Sequence, residues 1–328
     1  MMRTVLVGLS LVLATIALAA QDRPRFQGTV DLVSIGVSVQ AGNKAVQGLT
    51  ARDFELTDNG VRQTVEMFEA SSLPLDVTIA LDTSGSMAEH MPAVTADLEV
   101  AKTLLRPDDR LRVITFSSEF HELADFQPVP EFRMPASLTG AGGTSMYDAL
   151  SAALMPRQTA DRRHLVIAFT DGIDTTSVLT SEALLDLSRR TDSVAYIFLV
   201  QQIPGDTPPP PPAFSSLQSL NTRRPWSPPA GDDGHRALQE VAENTGGRYE
   251  MTLAAKALAP SGLKQVLQEF RSGYVLRYRA TGVTREGWHD VAVRVIRSRT
   301  FTVRARKGYF IGPPGLKTRG SVLSHPRV

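Results

Sequence analysis

The stretch Val77-Thr78-Ile79-Ala80-Leu81-Asp82-Thr83-Ser84-Gly85-Ser86-Met87 decides how this sequence reads. Val77 to Leu81 is a near-continuous apolar run, the pattern of a strand covered on both faces. Asp82, Ser84 and Ser86 follow at alternate positions, and a helical pattern begins near Pro92. A carboxylate and two hydroxyls therefore sit on a strand-to-helix turn. Closely spaced oxygen ligands suit a hard divalent cation such as Mg2+. Open α/β sheets bind ligands in this position, beyond the carboxyl ends of their strands.

The same grammar continues downstream. Leu165 to Phe169 and Val194 to Val200 are further apolar runs, and Leu111 to Phe116 is another strand candidate. Val94, Leu98, Ala101 and Leu105 fall at i, i+4, i+7 and i+11, one stripe of a helix. Met146 to Leu154, Glu182 to Leu187, His235 to Glu243 and Leu263 to Phe270 read as helices, and Arg248 to Met251 as a short strand. Strands alternating with helices predict a doubly wound α/β domain, a mostly parallel sheet with helices on both faces.

On either side the period changes to two. Val33, Ile35, Val37 and Val39 recur at every second position, as do Tyr274, Leu276 and Tyr278. Val291, Val293 and Val295 follow, then Phe301, Val303 and Ala305. This alternation marks half-buried strands. Asp58-Asn59-Gly60 predicts a hairpin turn, with Val61 to Phe68 as the return strand. Neither flank alone has enough strands to bury a core. The expectation is one small antiparallel β-sandwich, residues 26–72 and 273–312, with the α/β domain, 74–272, inserted between two of its strands. Residues 204–234 interrupt that domain with five consecutive prolines from Pro208, read as a polyproline surface loop, and 313–328 form a tail.

Bulk properties set limits. With 328 residues, 42% of them hydrophobic, the chain is long enough for two domains. A net charge of +1 gives no support to nucleic-acid binding by bulk electrostatics. The absence of cysteine rules out disulfides, thiolate metal sites and cysteine nucleophiles. Residues 1–20 carry Arg3, an apolar run from Val5 to Leu18 and the small-x-small pattern Ala17-Leu18-Ala19, which predicts a signal peptide. The run is shorter than the roughly 20 residues a spanning helix needs. Cleavage is therefore expected over retention as an anchor, and the mature protein is expected to be periplasmic or secreted.

Two later stretches complete the turn at Asp82. Gly140-Ala141-Gly142-Gly143-Thr144-Ser145 precedes a helix; its glycines allow close backbone approach and Thr144 offers a hydroxyl. Phe169-Thr170-Asp171-Gly172 ends a strand and places the Asp171 carboxylate beyond it. Asp82, Ser84, Ser86, Thr144 and Asp171 thus give five oxygen ligands from three loops. Nearby, Asp174 reads as an exposed turn residue and Asp148 as charge complementing a helix dipole, with support of the ligands from behind as its alternative. Other chemistries lack their parts. No Gly-Lys-Ser/Thr follows the glycines, no His-Glu-x-x-His is present, and no Gly-x-Ser-x-Gly surrounds Ser84 or Ser86. A metal-dependent hydrolase would have only Glu89 and His90 as further candidates.

Asp82-x-Ser84-x-Ser86, Thr144 and Asp171, in this order, resemble the metal-ion-dependent adhesion site of the von Willebrand factor type A domain. The resemblance covers roughly Leu75 to Phe270. Leu49-Thr50-Ala51-Arg52-Asp53-Phe54, Asp58-Asn59-Gly60-Val61-Arg62-Gln63 and Lys307-Gly308-Tyr309 resemble an exported bacterial group of such proteins often found in Acidobacteria. The resemblance implies Mg2+, replaceable by Mn2+ or Ca2+, at the top of the sheet. Ser84, Ser86 and Thr144 would be direct ligands, with Asp82 and Asp171 binding directly or through water. It further implies an open coordination position filled by an acidic side chain of a partner protein, and a binding module with no enzymatic activity. The competing expectation is an assembly protein whose β-sandwich makes the contacts while the metal stiffens the top loops.

Overall fold

The apolar run around Val77 is a central strand in which every residue from Leu75 to Asp82 is buried. The structure is a computed structural model describing residues 32–42, 44–69, 73–133, 138–155, 162–201, 233–253, 260–283, 286–298 and 300–311. The expected signal peptide, the tail and the proline-rich segment up to residue 232 lie outside these. Strands β1 (Leu32–Ala41), β2 (Lys44–Ala45), β3 (Phe54–Asp58), β4 (Val61–Gln63) and β5 (Glu66–Glu69) come first. The α/β part follows as β6 (Leu75–Asp82), α1 (Met91–Leu104), β7 (Arg110–Phe116), β8 (Phe120–Pro128), α2 (Met146–Leu154) and β9 (Arg163–Thr170). It continues through α3 (Ser181–Arg190), β10 (Val194–Gln201), α4 (Asp233–Thr245), β11 (Arg248–Leu253) and α5 (Pro260–Ser272). The chain then forms β12 (Tyr274–Arg279), β13 (Gly287–Val295), β14 (Thr302–Ala305) and β15 (Gly308–Ile311).

β6 lies inside a six-stranded sheet of order β11-β10-β9-β6-β7-β8. Its pairings are parallel except for β7 with β8. Val77, Ile79 and Leu81 pack on one face with Leu98 of α1 and Leu263, Val266 and Leu267 of α5. Ala80, Val166 and Ala168 pack on the other with Leu150 of α2, Leu184 of α3 and Leu238 of α4. Two cores, one per face, are why these strands read as unbroken apolar runs. Each large side chain buried in this way contributes about 1.5–3 kcal/mol. The fold is the doubly wound α/β architecture that the sequence predicts. β8 has no counterpart among the expected strands. It is an edge strand whose first four residues are all exposed, so it carries no apolar run to reveal it.

The flanking sequences pair with each other. β1 runs antiparallel to β12 and β14, and β12 to β5. β13 pairs with β15 and β3, and β3 with β4. The two sheets share one core that includes Ile35, Val37, Leu56, Leu276 and Tyr278. Because β5 and β12 are neighbours, the chain leaves this core and re-enters it on adjacent strands. Asn59 and Gly60 take φ values of 47° and 78°, the positive pair a two-residue hairpin needs. The return strand is not continuous from Val61 to Phe68, however. β4 pairs within one sheet and β5 within the other, and the chain crosses between them at Thr64 and Val65. Gln63 pins the crossing, donating to Thr281 O at 3.0 Å and accepting from Thr281 N at 3.0 Å.

Buried polar groups tie the pieces together. Asp58 Oδ2 accepts from the hydroxyls of Tyr278 (2.8 Å) and Tyr309 (2.6 Å), while His289 Nδ1 lies 2.8 Å from Oδ1. Those four residues come from β3, β12, β15 and β13. Glu269 on α5 joins the α/β part to the sandwich. Its carboxylate accepts from Arg248 (2.6 Å), Arg304 (2.5 Å) and Ser38 (3.1 Å).

His164 on β9 bridges its neighbours, 2.8 Å from Thr78 Oγ1 and 2.7 Å from Ser193 Oγ. Burial pushes its pKa down to about 4, against the pull of Asp76. The unfolded chain accepts this proton near pH 6.5, the folded protein only near 4. Stability therefore falls as pH drops through that window and levels off below it, a loss of about 3 kcal/mol from this group. His164→Gln is expected to flatten that part of the profile in urea unfolding at a series of pH values; a slope like the parent's would contradict this account.

Candidate metal centre

Winding reverses between β6 and β9. The chain leaves β6 for α1 on one face and leaves β9 for α3 on the other, so the loops after the two strands part and leave a crevice. The register pairs Leu81 with Phe169, which brings Asp82 and Thr170 out of the sheet side by side. Asp82 is fully buried. Its Oδ1 accepts from Ser84 N (2.9 Å) and its Oδ2 from Thr170 Oγ1 (2.7 Å). Burial pushes the Asp82 pKa up to about 6; the Ser84 and Thr170 hydrogen bonds oppose this and the Asp171 charge adds to it.

The other expected ligands converge from three loops. Ser84 Oγ and Ser86 Oγ are 3.0 Å apart, and Ser86 Oγ donates to Asp171 Oδ2 at 2.5 Å. Asp171 Oδ1 accepts from Ile173 N at 3.2 Å, a tight turn that aims the carboxylate back at the crevice. The glycine loop is docked on the first loop by Gly85 N to Gly142 O (3.1 Å) and Ala141 N to Thr83 O (2.9 Å). Thr144 is buried, and the hydrogen bonds that place it are made by its backbone. Its carbonyl accepts from Thr175 N (2.8 Å) and Thr176 N (3.1 Å), and its amide donates to Thr175 Oγ1 (2.7 Å). Asp82, Ser84, Ser86 and Asp171 thus form one side-chain cluster, while Thr144 is held beside it by backbone contacts to the loop after Asp171.

The donor set fits a hard divalent cation. All its side-chain donors are oxygens, two of them carboxylates whose charges repel across a short gap. Asp82 is held in a place that disfavours its charged form unless a positive charge neutralises it. Among the described residues no three His, Cys, Asp or Glu side chains converge, so hydroxyls would have to complete any coordination shell. Glu89 is exposed on the short 3-10 helix Gly85–His90 that follows the first loop.

Two residues beside the expected ligands make contacts across the loops that the sequence does not show. Asp174 is more than a solvated turn residue: besides accepting from Ser177 in its own loop, it accepts from Tyr147 N at the start of α2. Asp148 does more than complement a dipole, because its carboxylate accepts from Val178 N and Leu179 N. The contacts that cross the loops were hidden because Tyr147, for Asp174, and Val178 and Leu179, for Asp148, lie far away in sequence.

Strand order, the switch point and the placement of the three loops agree. The α/β part has the doubly wound architecture that the von Willebrand factor type A resemblance implies. Solved structures similar to this chain include an aerotolerance-related membrane protein from Bacteroides fragilis, at 19% identity over 60% of this chain and 98% of that one, with a TM-score of 0.39. A von Willebrand factor type A protein from Catenulispora acidiphila is similar at 12% identity over 87% and 75%, with a TM-score of 0.42. A manganese-loaded TRAP protein from Plasmodium vivax is similar at 16% identity over 76% and 97%, with a TM-score of 0.36. No family model and no curated protein matches the sequence.

The two glycines of the docked loops differ in what they tolerate. A Cβ on Gly140 would lie 2.6 Å from Ala88 Cα and 2.8 Å from Ser84 O, whereas on Gly85 its nearest neighbour would be Gly142 O at 3.6 Å. Gly140→Ala is expected to lower unfolding stability by about 1–3 kcal/mol through backbone overpacking, with Gly85→Ala close to the parent in the same chemical-denaturation series. Equal losses in the two variants would refute the docking geometry.

Proposed function

We propose that this protein is an exported, metal-dependent protein-binding module without enzymatic activity. It holds Mg2+, or Mn2+ or Ca2+ in its place, with Asp82, Ser84, Ser86, Thr144 and Asp171, and engages an acidic residue of a partner protein. The observation carrying this reading is the buried Asp82 carboxylate, joined to Thr170 and facing the Ser84–Ser86–Asp171 cluster. A divalent cation in that cluster supplies a positive centre for an anionic oxygen. Asp82 and Asp171 contribute the negative charge that retains the cation. Ser84, Ser86 and Thr144 contribute neutral oxygens, which leave it under-neutralised and attractive to an incoming carboxylate. The loop after Asp171 exposes Ile173, Val178 and Leu179, apolar side chains of the kind a protein contact covers. Export follows from the signal-like residues 1–20; no described helix is long and apolar enough to cross a membrane.

Calorimetric titration tests the reading. The parent is expected to bind Mg2+ or Mn2+, and Asp82→Ala to lose that binding. Capture of a partner from an exported-protein fraction should then disappear with chelator and with Asp82→Ala alike. A parent that binds neither cation would sink the proposal. Cation binding with capture unaffected by Asp82→Ala would instead favour contacts made by the β-sandwich.

A further inference from the structure

α2 begins immediately after Ser145, yet Ser145 does not cap it: its hydroxyl is buried without a hydrogen-bond partner. The N–H groups of the first turn are satisfied from elsewhere. Tyr147 N donates to Asp174 Oδ2 (3.0 Å), Asp148 N donates to Ser177 Oγ (3.2 Å), and Ser177 Oγ donates to Asp174 Oδ2 (2.6 Å). The support also runs the other way. Asp148 Oδ2 accepts from Val178 N (2.9 Å) and its Oδ1 from Leu179 N (2.8 Å). Each carboxylate therefore caps backbone that belongs to the opposite loop.

A cap supplied by a neighbouring residue would stabilise the helix and nothing more. A cap supplied by another loop also fixes the distance between the two loops. Thr144 stands at the foot of α2, and Asp171 lies in the same loop as Asp174, three residues earlier. We propose that Asp148 and Asp174 are positioning residues for the metal centre: their reciprocal caps set the separation of Thr144 and Asp171, and through it the affinity for a divalent cation. This rests on the reading of the cluster as a metal centre. Mg2+ and Mn2+ tolerate little deviation in ligand distance, and residues that orient ligands typically change affinity by about 10- to 100-fold. Neither Asp148 nor Asp174 would itself ligate the cation; their carboxylates are engaged by backbone amides.

The test compares Asp148→Asn and Asp174→Ala with Asp186→Asn, which removes an exposed carboxylate on α3 away from both loops. In Mn2+ calorimetry the first two are expected to bind about 10- to 100-fold more weakly, the third like the parent. Parental affinity in both loop variants overturns the proposal. Thermal melting in chelator guards against simple unfolding, and Asp148→Asn keeps the size of the side chain and one acceptor. A second readout needs no cation. In chelator, Asp148→Asn is expected to speed amide exchange at Thr175 and Thr176, which donate to Thr144 O and not to Asp148. Unchanged exchange there overturns the positioning claim. A parent that takes up no Mn2+ sinks the metal reading itself, and the exchange result then decides the loop coupling alone.

Discussion

Burial of β6 and β9 on both faces constrains the whole top of the α/β sheet. The upper halves of these strands, Ile79 to Leu81 and Leu165 to Phe169, are apolar on both faces, so the polar residues that follow them come at the strand ends. Asp82 and Thr170 are therefore forced to the same edge, and the parallel register that pairs Leu81 with Phe169 sets them beside each other. The hydrogen bond from Thr170 to Asp82 then fastens the tops of the two strands at the point where their loops diverge. The loops that leave the two strands inherit that geometry. Ser84 and Ser86 can reach Asp171 because the strands that precede them are locked.

The parts legible in the sequence are those whose cause is local or periodic. Unbroken apolar runs mark β6, β9 and β10 because each is covered twice, and alternation marks β1 and β12 because each faces one core. The ligand cluster is legible because Asp82, Ser84 and Ser86 lie on one turn. The hidden parts depend on distant partners or on exposure. β8 is wet along its first half, so no pattern distinguishes it from a loop. The crossing at Thr64 and Val65 involves no glycine or proline, and only the pairing of β5 with β12 shows that the strand has changed sheets. Asp148 and Asp174 look like ordinary surface carboxylates until the opposite loop is in place.

The junction between the two parts is charged and buried. Glu269 gathers Arg248 from the α/β sheet and Arg304 and Ser38 from the sandwich, so α5 cannot shift without breaking contacts on both sides. Hydrophobic residues of the same volume would hold as firmly, since a buried ion pair loses much of its attraction to desolvation. The gain is directional: three donors converge on one carboxylate from fixed positions, which specifies a single seating of helix on sheet. The Asp58 group acts in the same way inside the sandwich, joining residues from both flanks.

The adjacency of β5 and β12 has a mechanical side. Glu69 and Tyr274 face each other across the ladder, so both connections to the inserted domain emerge at one end of neighbouring strands. A pull on the top of the α/β sheet, directed along those strands, enters the sandwich through the two together. It would be resisted by β1 sliding against β12, with the hydrogen bonds from Leu32 to Val37 strained at once instead of opened one at a time. The insertion point thus loads the sandwich in shear, the direction in which a β-ladder is hardest to part.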